Sequence, residues 1–326
     1  MLLGLLFALG GLTALTVGAD HFVKGAARLA IIYRVAPVVV GAVIIGFGTS
    51  APEMVVSGLA AAQDDLDIGV GNVIGSNVAN LSLVLAAATL ITVVPVTSGV
   101  LRREAPLSVA SCIVFAWFVQ DGLERWEGVV LLVLLAAALG WVMRSAREGD
   151  PLAGEVEEFV EEDAQLHPGH EVTRTLLGLV AVVAASWFLV DGAVRVADAL
   201  DLTGGFVGFT LVALGTSAPE LITAVAAARQ GETEILVGNL LGSNMFNSLA
   251  VGGVIALVGP GPVLDSTLAG IGTVMMVFIV VVAWVMMITK RGVERWEGIV
   301  LIALWLLAVI VLSSGDEAAE ALGGLT

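Results

Sequence analysis

Two segments of this chain recur at a fixed distance, and one of them carries an acid inside an apolar run. Gly46-Phe-Gly-Thr-Ser-Ala-Pro-Glu53 returns as Ala213-Leu-Gly-Thr-Ser-Ala-Pro-Glu220, and Gly71-Asn-Val-Ile-Gly-Ser-Asn77 returns as Gly238-Asn-Leu-Leu-Gly-Ser-Asn244, both 167 residues later. Gly25-Ala26-x-Arg28 returns as Gly192-Ala193-x-Arg195 at the same offset. Glu124-Arg-Trp-Glu-Gly128 returns as Glu294-Arg-Trp-Glu-Gly298 after 170, so a small length difference enters after the third apolar stretch. Self-similarity at one period marks a duplicated structural unit.

The unit is a membrane unit. Hydrophobic residues make up 58% of the chain and charged ones 13%, at a mean hydropathy of +1.01, whereas soluble domains carry roughly a quarter charged residues. A bilayer core about 30 Å thick takes about 20 apolar residues per helix. That rule yields ten spans, near residues 2–19, 36–62, 68–94, 105–120, 126–143, 173–190, 206–228, 235–258, 270–288 and 296–313. A membrane barrel would show alternating segments of about ten residues, and nothing here alternates. The expected class is an all-α membrane protein embedded in the lipid bilayer. Met1–Gly18 lacks a basic n-region and a clear cleavage site, so it reads as the first span rather than a secretory signal. The single cysteine, Cys112, excludes a disulfide scaffold, and a net charge of −16 leaves no basic face for nucleic acid. No obligate protein partner is evident.

Each copy of the unit holds five spans. Five is odd, so the second copy enters the membrane from the opposite side, giving two inverted five-helix repeats, 1–143 and 173–326. The basic residues set the orientation. Lys24, Arg28, Arg34, Arg102, Arg103, Arg144, Arg147, Arg174, Arg229, Lys290, Arg291 and Arg295 sort to one side and only Arg125 and Arg195 to the other, which places both termini outside. The hydrophilic stretch 144–172, with Glu155, Glu157, Glu158, Glu161, Glu162 and Asp163, is then a solvated acidic linker on the cytoplasmic side of the cell membrane. Its acids do not follow a calcium-loop spacing, and His167 and His170 lack further ligands for a metal site.

Glu53 and Glu220 demand a function. A charge at a helix centre costs about 2.5–3.5 kcal/mol even on the mild insertion scale, and the duplication preserves two of them. Gly48 and Gly215 tolerate unusual backbone angles, while Pro52 and Pro219 remove a helical hydrogen bond. Each motif helix should therefore break near its middle and free carbonyls around residues 45–49 and 212–216, which is tolerated only where the backbone lines a cavity or is buried in protein. Thr49, Ser50, Thr216 and Ser217 add hydroxyls beside the acids. On the next helix of each repeat, Ser76 and Asn80, or Ser243 and Asn247, are four apart and share a face. The set is all-oxygen, which hard ions such as Ca²⁺ and Na⁺ prefer. Asn72, Asn77, Asn239 and Asn244 read equally well as ligands or as interhelical hydrogen-bonders. Trp126 and Trp296 read as interfacial anchors.

The paired Gly-Thr-Ser-Ala-Pro-Glu and Gly-Asn-x-x-Gly-Ser-Asn segments resemble the α-repeats of the sodium/calcium exchangers, within the calcium/cation antiporter superfamily, over nearly the whole chain. The resemblance implies that Glu53 and Glu220 are shared Ca²⁺ and Na⁺ ligands, that Thr49 and Thr216 complete the Ca²⁺ site, and that Ser50, Ser76, Ser217 and Ser243 complete flanking Na⁺ sites. Asn80 and Asn247 would face the middle. Relatives that also carry K⁺ place Asp at the position of Asn247, so K⁺ is not expected here. The expected activity is Na⁺/Ca²⁺ antiport by alternating access, with the first and sixth helices moving against the motif helices. Ca²⁺/H⁺ antiport is the alternative. No cofactor is expected beyond the transported ions. A channel fits broken-helix carrier repeats poorly, and an intramembrane hydrolase lacks a His base in the spans.

The topology is open to a direct check: a cysteine introduced at 155–165 should resist membrane-impermeant maleimide in intact cells and react after permeabilisation.

Overall fold

The computed structural model describes residues 1–33, 50–96, 104–145, 167–230 and 233–313. Their order is α1 (Leu2–Ile32), α2 (Ala51–Ala62), α3 (Leu66–Ile91), β1 (Val94–Pro95), α4 (Glu104–Val119), α5 (Arg125–Ser145), α6 (Pro168–Leu200), α7 (Gly204–Thr216) and α8 (Ala218–Gln230). Then come α9, which runs as Thr233–Phe246, Asn247–Val251 and Gly252–Val258, α10 (Leu268–Gly272 and Thr273–Lys290), β2 (Gly292–Val293) and α11 (Arg295–Ser313). Among the described residues, seven helices are long and apolar enough to cross a membrane; α7 and α8 pass the same test as a pair bent by 45°, and α2 and α4 are shorter apolar helices.

The first and sixth helices outrun the spans expected at 2–19 and 173–190, reaching 31 and 33 residues. Hydropathy caught only their most apolar stretches. Their charged ends stay helical because the charges are paired: Lys24 with Asp20 at 3.0 Å and Arg195 with Asp191 at 2.6 Å, each one turn apart. Arg28 of α1 reaches Glu171 of α6 at 3.4 Å. Glu171 falls in the stretch expected to be a solvated linker, yet it is buried. The acidic run from Glu155 to Asp163 lies outside the described residues.

α1 and α6 run antiparallel along their length. A methyl group on Gly4 would meet Arg195, one on Gly11 the backbone of Leu189, one on Gly18 Val182, and one on Gly25 Thr175. The contacts are reciprocal: Gly178 lies against Phe22 as Gly11 lies against Leu189, and Gly192 against Ala8 as Gly25 against Thr175. Copy i touches j where copy j touches i, the signature of a two-fold relation. Backbone pairings obey it too. Val94 pairs with Val293 across β1 and β2, and Gly261 with Leu123 in an antiparallel bridge, so each partner in one pairing is the copy of a partner in the other.

The Glu-Arg-Trp-Glu-Gly segments start α5 and α11. Glu127 Oε2 accepts from the Glu124 backbone N–H at 2.7 Å, and Glu297 repeats this on Glu294 at 2.7 Å. This is the reciprocal half of a capping box. The indole N–H of Trp126 donates to the Glu124 carboxylate and that of Trp296 to the Glu294 carboxylate. The tryptophans read as anchors thus also lock helix starts.

The apolar interior divides in two. One cluster, with Phe115, Leu131, Leu240 and Ile279, fills the space among α3, α4, α5, α9 and α10. The other, with Ala8, Leu15, Val182 and Leu189, follows the α1–α6 seam and reaches Val56 of α2 and Val207 of α7. Lipid tails are as apolar as these side chains, so close packing rather than water exclusion joins helices here. Gly11 is therefore expected to be sensitive and Gly10, which has open space around it, tolerant. Gly11→Val should lower the thermal unfolding midpoint in detergent, at a cost of about 1–3 kcal/mol for overpacking, and Gly10→Ala should leave it unchanged.

Candidate functional site

Pro52 and Pro219 stand at the second residue of α2 and α8, in the first helical turn, where a missing N–H is tolerated. The prolines start helices rather than kink them. The residue before each helix, Ser50 or Ser217, has nearly the same backbone: φ −90°, ψ 4° and φ −83°, ψ 7°. This sparsely populated bridge conformation is frequent at functional sites. In the second repeat the expected break is therefore present, at Ser217. In the first repeat the upstream half, including Thr49, lies outside the described residues.

Glu53 and Glu220 fall in the first turns of α2 and α8, where the helix dipole favours a negative charge. Both are fully buried. The two carboxylates are close enough to repel, Thr216 and Ser217 face Glu53, and Ser243 faces Glu220. Even so, no hydrogen bond of good geometry from the described residues closes on any of their four oxygens. The hydroxyl oxygens of Ser50 and Ser217, Asn80 Oδ1 and both amide atoms of Asn247 are likewise buried without a partner among the described residues. Burying a polar atom unpaired is costly, and burying a charge unpaired far more so. Buried oxygens left without donors are the kind of group that an oxygen-ligated cation satisfies.

The nine candidate residues that the structure describes are all buried. Glu53, Glu220, Thr216, Ser217 and Ser243 are drawn together by the contacts above. Ser76 joins them through Asn72, whose Oδ1 accepts from Thr216 Oγ1 at 3.1 Å and from Ser76 Oγ at 3.3 Å. Asn80 turns elsewhere: its Nδ2 donates to Asn244 Oδ1 at 3.1 Å. Ser50 and Asn247 form no hydrogen bond to the other candidates among the described residues.

The asparagines left open by the sequence divide. Asn77 donates to Ser248 at 2.9 Å and Asn244 donates to the Asn77 carbonyl at 3.0 Å, so these two tie α3 to α9. Asn72 instead sits among the candidate ligands, and its Nδ2 donates to Ser57 Oγ at 2.8 Å. Ser57 was not singled out, although its place one turn after Glu53 could have flagged it. Nor did any pattern announce the π-helical turns Asn80–Val84 and Asn247–Val251, which begin at equivalent candidate residues. A third, Gly208–Val212, precedes the break in the second motif helix. Such turns are rare and concentrate at functional sites. Beside it, α3 passes unusually close: a methyl group on Gly71 or Gly75 would run into the backbone carbonyls of Gly205 or Phe209.

Comparison with known proteins identifies the family. The sequence profile of the sodium/calcium exchanger protein family matches residues 3–144 and 171–313. The inner membrane protein YrbG of Escherichia coli is 35% identical over 271 residues, covering 81% of this chain and 82% of that protein. The sodium/calcium exchanger MaX1 of Methanosarcina acetivorans is 28% identical over 342 residues, covering 94% and 97%. A solved structure of the sodium-calcium exchanger NCX_Mj, soaked with 100 mM Na⁺ and 10 mM Sr²⁺, is 29% identical and superposes with a TM-score of 0.65 over 95% of this chain and 98% of that one. The chain is a multi-pass membrane transport protein, and it belongs to the sodium/calcium exchanger family.

Proposed function

We propose that this chain exchanges Na⁺ for Ca²⁺ across the cell membrane by alternating access, through ten helices arranged as two inverted repeats of five. The observation that carries the reading is the pair of fully buried carboxylates, Glu53 and Glu220, at equivalent points of the two repeats with no protein donor on them among the described residues. Two carboxylates match the charge of one Ca²⁺, and oxygen ligands suit it. Na⁺ ions competing for the same oxygens release it, which couples the two fluxes. In this reading Thr49 and Thr216 bind Ca²⁺, Ser50, Ser76, Ser217 and Ser243 hold Na⁺, and Asn80 and Asn247 line the middle. The antiparallel packing of α1 on α6 supports the inversion. The termini face outside and the 144–172 segment faces the cytoplasm, in keeping with the positive-inside bias.

Reconstituted protein should take up radioactive Ca²⁺ when loaded vesicles impose an outward Na⁺ gradient, with no requirement for K⁺. Uptake driven by a pH gradient in the absence of Na⁺ would instead establish Ca²⁺/H⁺ antiport.

Glu53→Gln and Glu220→Gln should each reduce Ca²⁺ exchange to background, because each removes half of the charge that balances the ion. Both proteins should fold, since an amide is cheaper to hold in the membrane than a carboxylate. Normal exchange by either variant would rule out a shared site. Asn247→Asp should remain active and become more dependent on pH, because a third carboxyl beside two others takes up a proton readily.

A further inference from the structure

We propose that Asn72 is a positioning residue of the cation site: its carbonyl oxygen takes the hydroxyl protons of Thr216 and Ser76, so that both hydroxyls offer only lone pairs to the ion. This rests on the reading of Glu53 and Glu220 as the centre of a cation site. A hydroxyl has one proton and two lone pairs. Left free, the proton of Thr216 would turn to the nearest carboxylate, since a charged acceptor makes the stronger hydrogen bond. Thr216 faces Glu53, yet no hydrogen bond of good geometry closes on Glu53 from the described residues. Instead Thr216 Oγ1 donates to Asn72 Oδ1 at 3.1 Å, with the Ala213 carbonyl a more distant acceptor at 3.4 Å, and Ser76 Oγ donates to the same Asn72 atom at 3.3 Å.

The amide is itself held in place. Asn72 Nδ2 donates to Ser57 Oγ at 2.8 Å, which fixes the side of the amide that meets the two hydroxyls. Asn72 is fully buried, as are Ser57 and Ser76, so water does not compete for these bonds. The chain Ser57–Asn72–Thr216 runs from α2 through α3 to α7, joining the first repeat to the second. It has no full copy: Ala224 stands where the second repeat would need the equivalent of Ser57, and Asn239 is only half-buried. The first repeat therefore orients ligands for both halves of the site. Residues that orient metal ligands typically cost 10–100-fold in affinity when lost.

The test compares wild type with Asn72→Leu, Asn72→Asp and Ser57→Ala in two readouts. One is the Ca²⁺ or Na⁺ concentration for half-maximal thermal stabilisation of the purified protein; the other is KM and maximal rate of Na⁺-driven Ca²⁺ uptake in proteoliposomes. Asn72→Leu should raise half-saturation and KM by about 10–100-fold while the maximal rate is largely kept. Asn72→Asp should restore wild-type or tighter binding, because a carboxyl retains the acceptor for both hydroxyls whether or not it is ionised. Ser57→Ala should give a smaller shift of the same sign, since it frees the amide to turn. Equal losses in the Leu and Asp proteins, or an unchanged half-saturation in the Leu protein, would overturn the proposal. If the Leu protein does not fold, unchanged half-saturation in Ser57→Ala overturns it. A wild type stabilised by a cation but without Na⁺-driven uptake would defeat the exchange reading alone, and the stabilisation series would still decide the role of Asn72. A wild type that neither cation stabilises would defeat both.

Discussion

A carboxylate in a dry interior has to be answered by positive charge or by donors, and among the described residues no hydrogen bond closes on Glu53 or Glu220. The protein could have neutralised them cheaply with an arginine or a ring of N–H groups. It places serine and threonine oxygens there instead, sends the proton of Thr216 to Asn72, and keeps its paired arginines at the helix ends. The acids stand in the first turns of α2 and α8, where a helix dipole favours negative charge without blocking the carboxylate oxygens. In the proposed function, an arriving cation would supply the positive charge that these carboxylates lack. The same reasoning explains why so few acids are needed. Among the described residues no group of three His, Cys, Asp or Glu gathers, so in the proposed site hydroxyl, amide and backbone oxygens would complete the shell.

Such a site needs helices that approach closely enough to bring oxygens from two repeats into one small volume. Gly71 and Gly75 let α3 settle onto the backbone of α7, and that approach is what carries Asn72 and Ser76 to Thr216. Elsewhere glycine works in the same way along α1 and α6, where every close contact has its reciprocal. Helix-capping carboxylates at Glu127 and Glu297 and short backbone pairings at Val94 and Leu123 secure the ends. Packing and polar satisfaction agree at each level, as expected of a sequence that specifies one structure.

Much of this was legible because duplication supplies a control within one chain. A lone Thr-Ser-Ala-Pro-Glu would carry little weight, but its return with Pro219 and Glu220 in register exposed the break and the acids together. The broad apolar stretches were equally plain. Helix lengths were not, because Arg28 and Glu171 look like loop residues until their pairing across 143 positions is seen. Nor was the division of labour among the asparagines. Asn72 and Asn77 occupy one motif and one helix, and only the neighbours brought by the fold send one to the site and the other to Ser248. The π-helical turns left no mark on the sequence, since a local change of hydrogen-bond register follows from the strain of the whole assembly.

Those turns have a consequence for how the chain can change. A π-helical turn is an α-helix holding one residue too many. Deleting a residue between Asn80 and Val84 would let the backbone close into ordinary hydrogen bonding, and would rotate Leu85–Ile91 by about 100° against the part that carries Ser76. The two ends of α3 are thus phased separately, one by the candidate site and the other by the neighbouring helices. The surplus residue stands at Asn80 and again at Asn247, so it arose before the unit was duplicated or was gained twice at one point. In either history, neither copy can shed it alone without leaving the two halves out of register with each other.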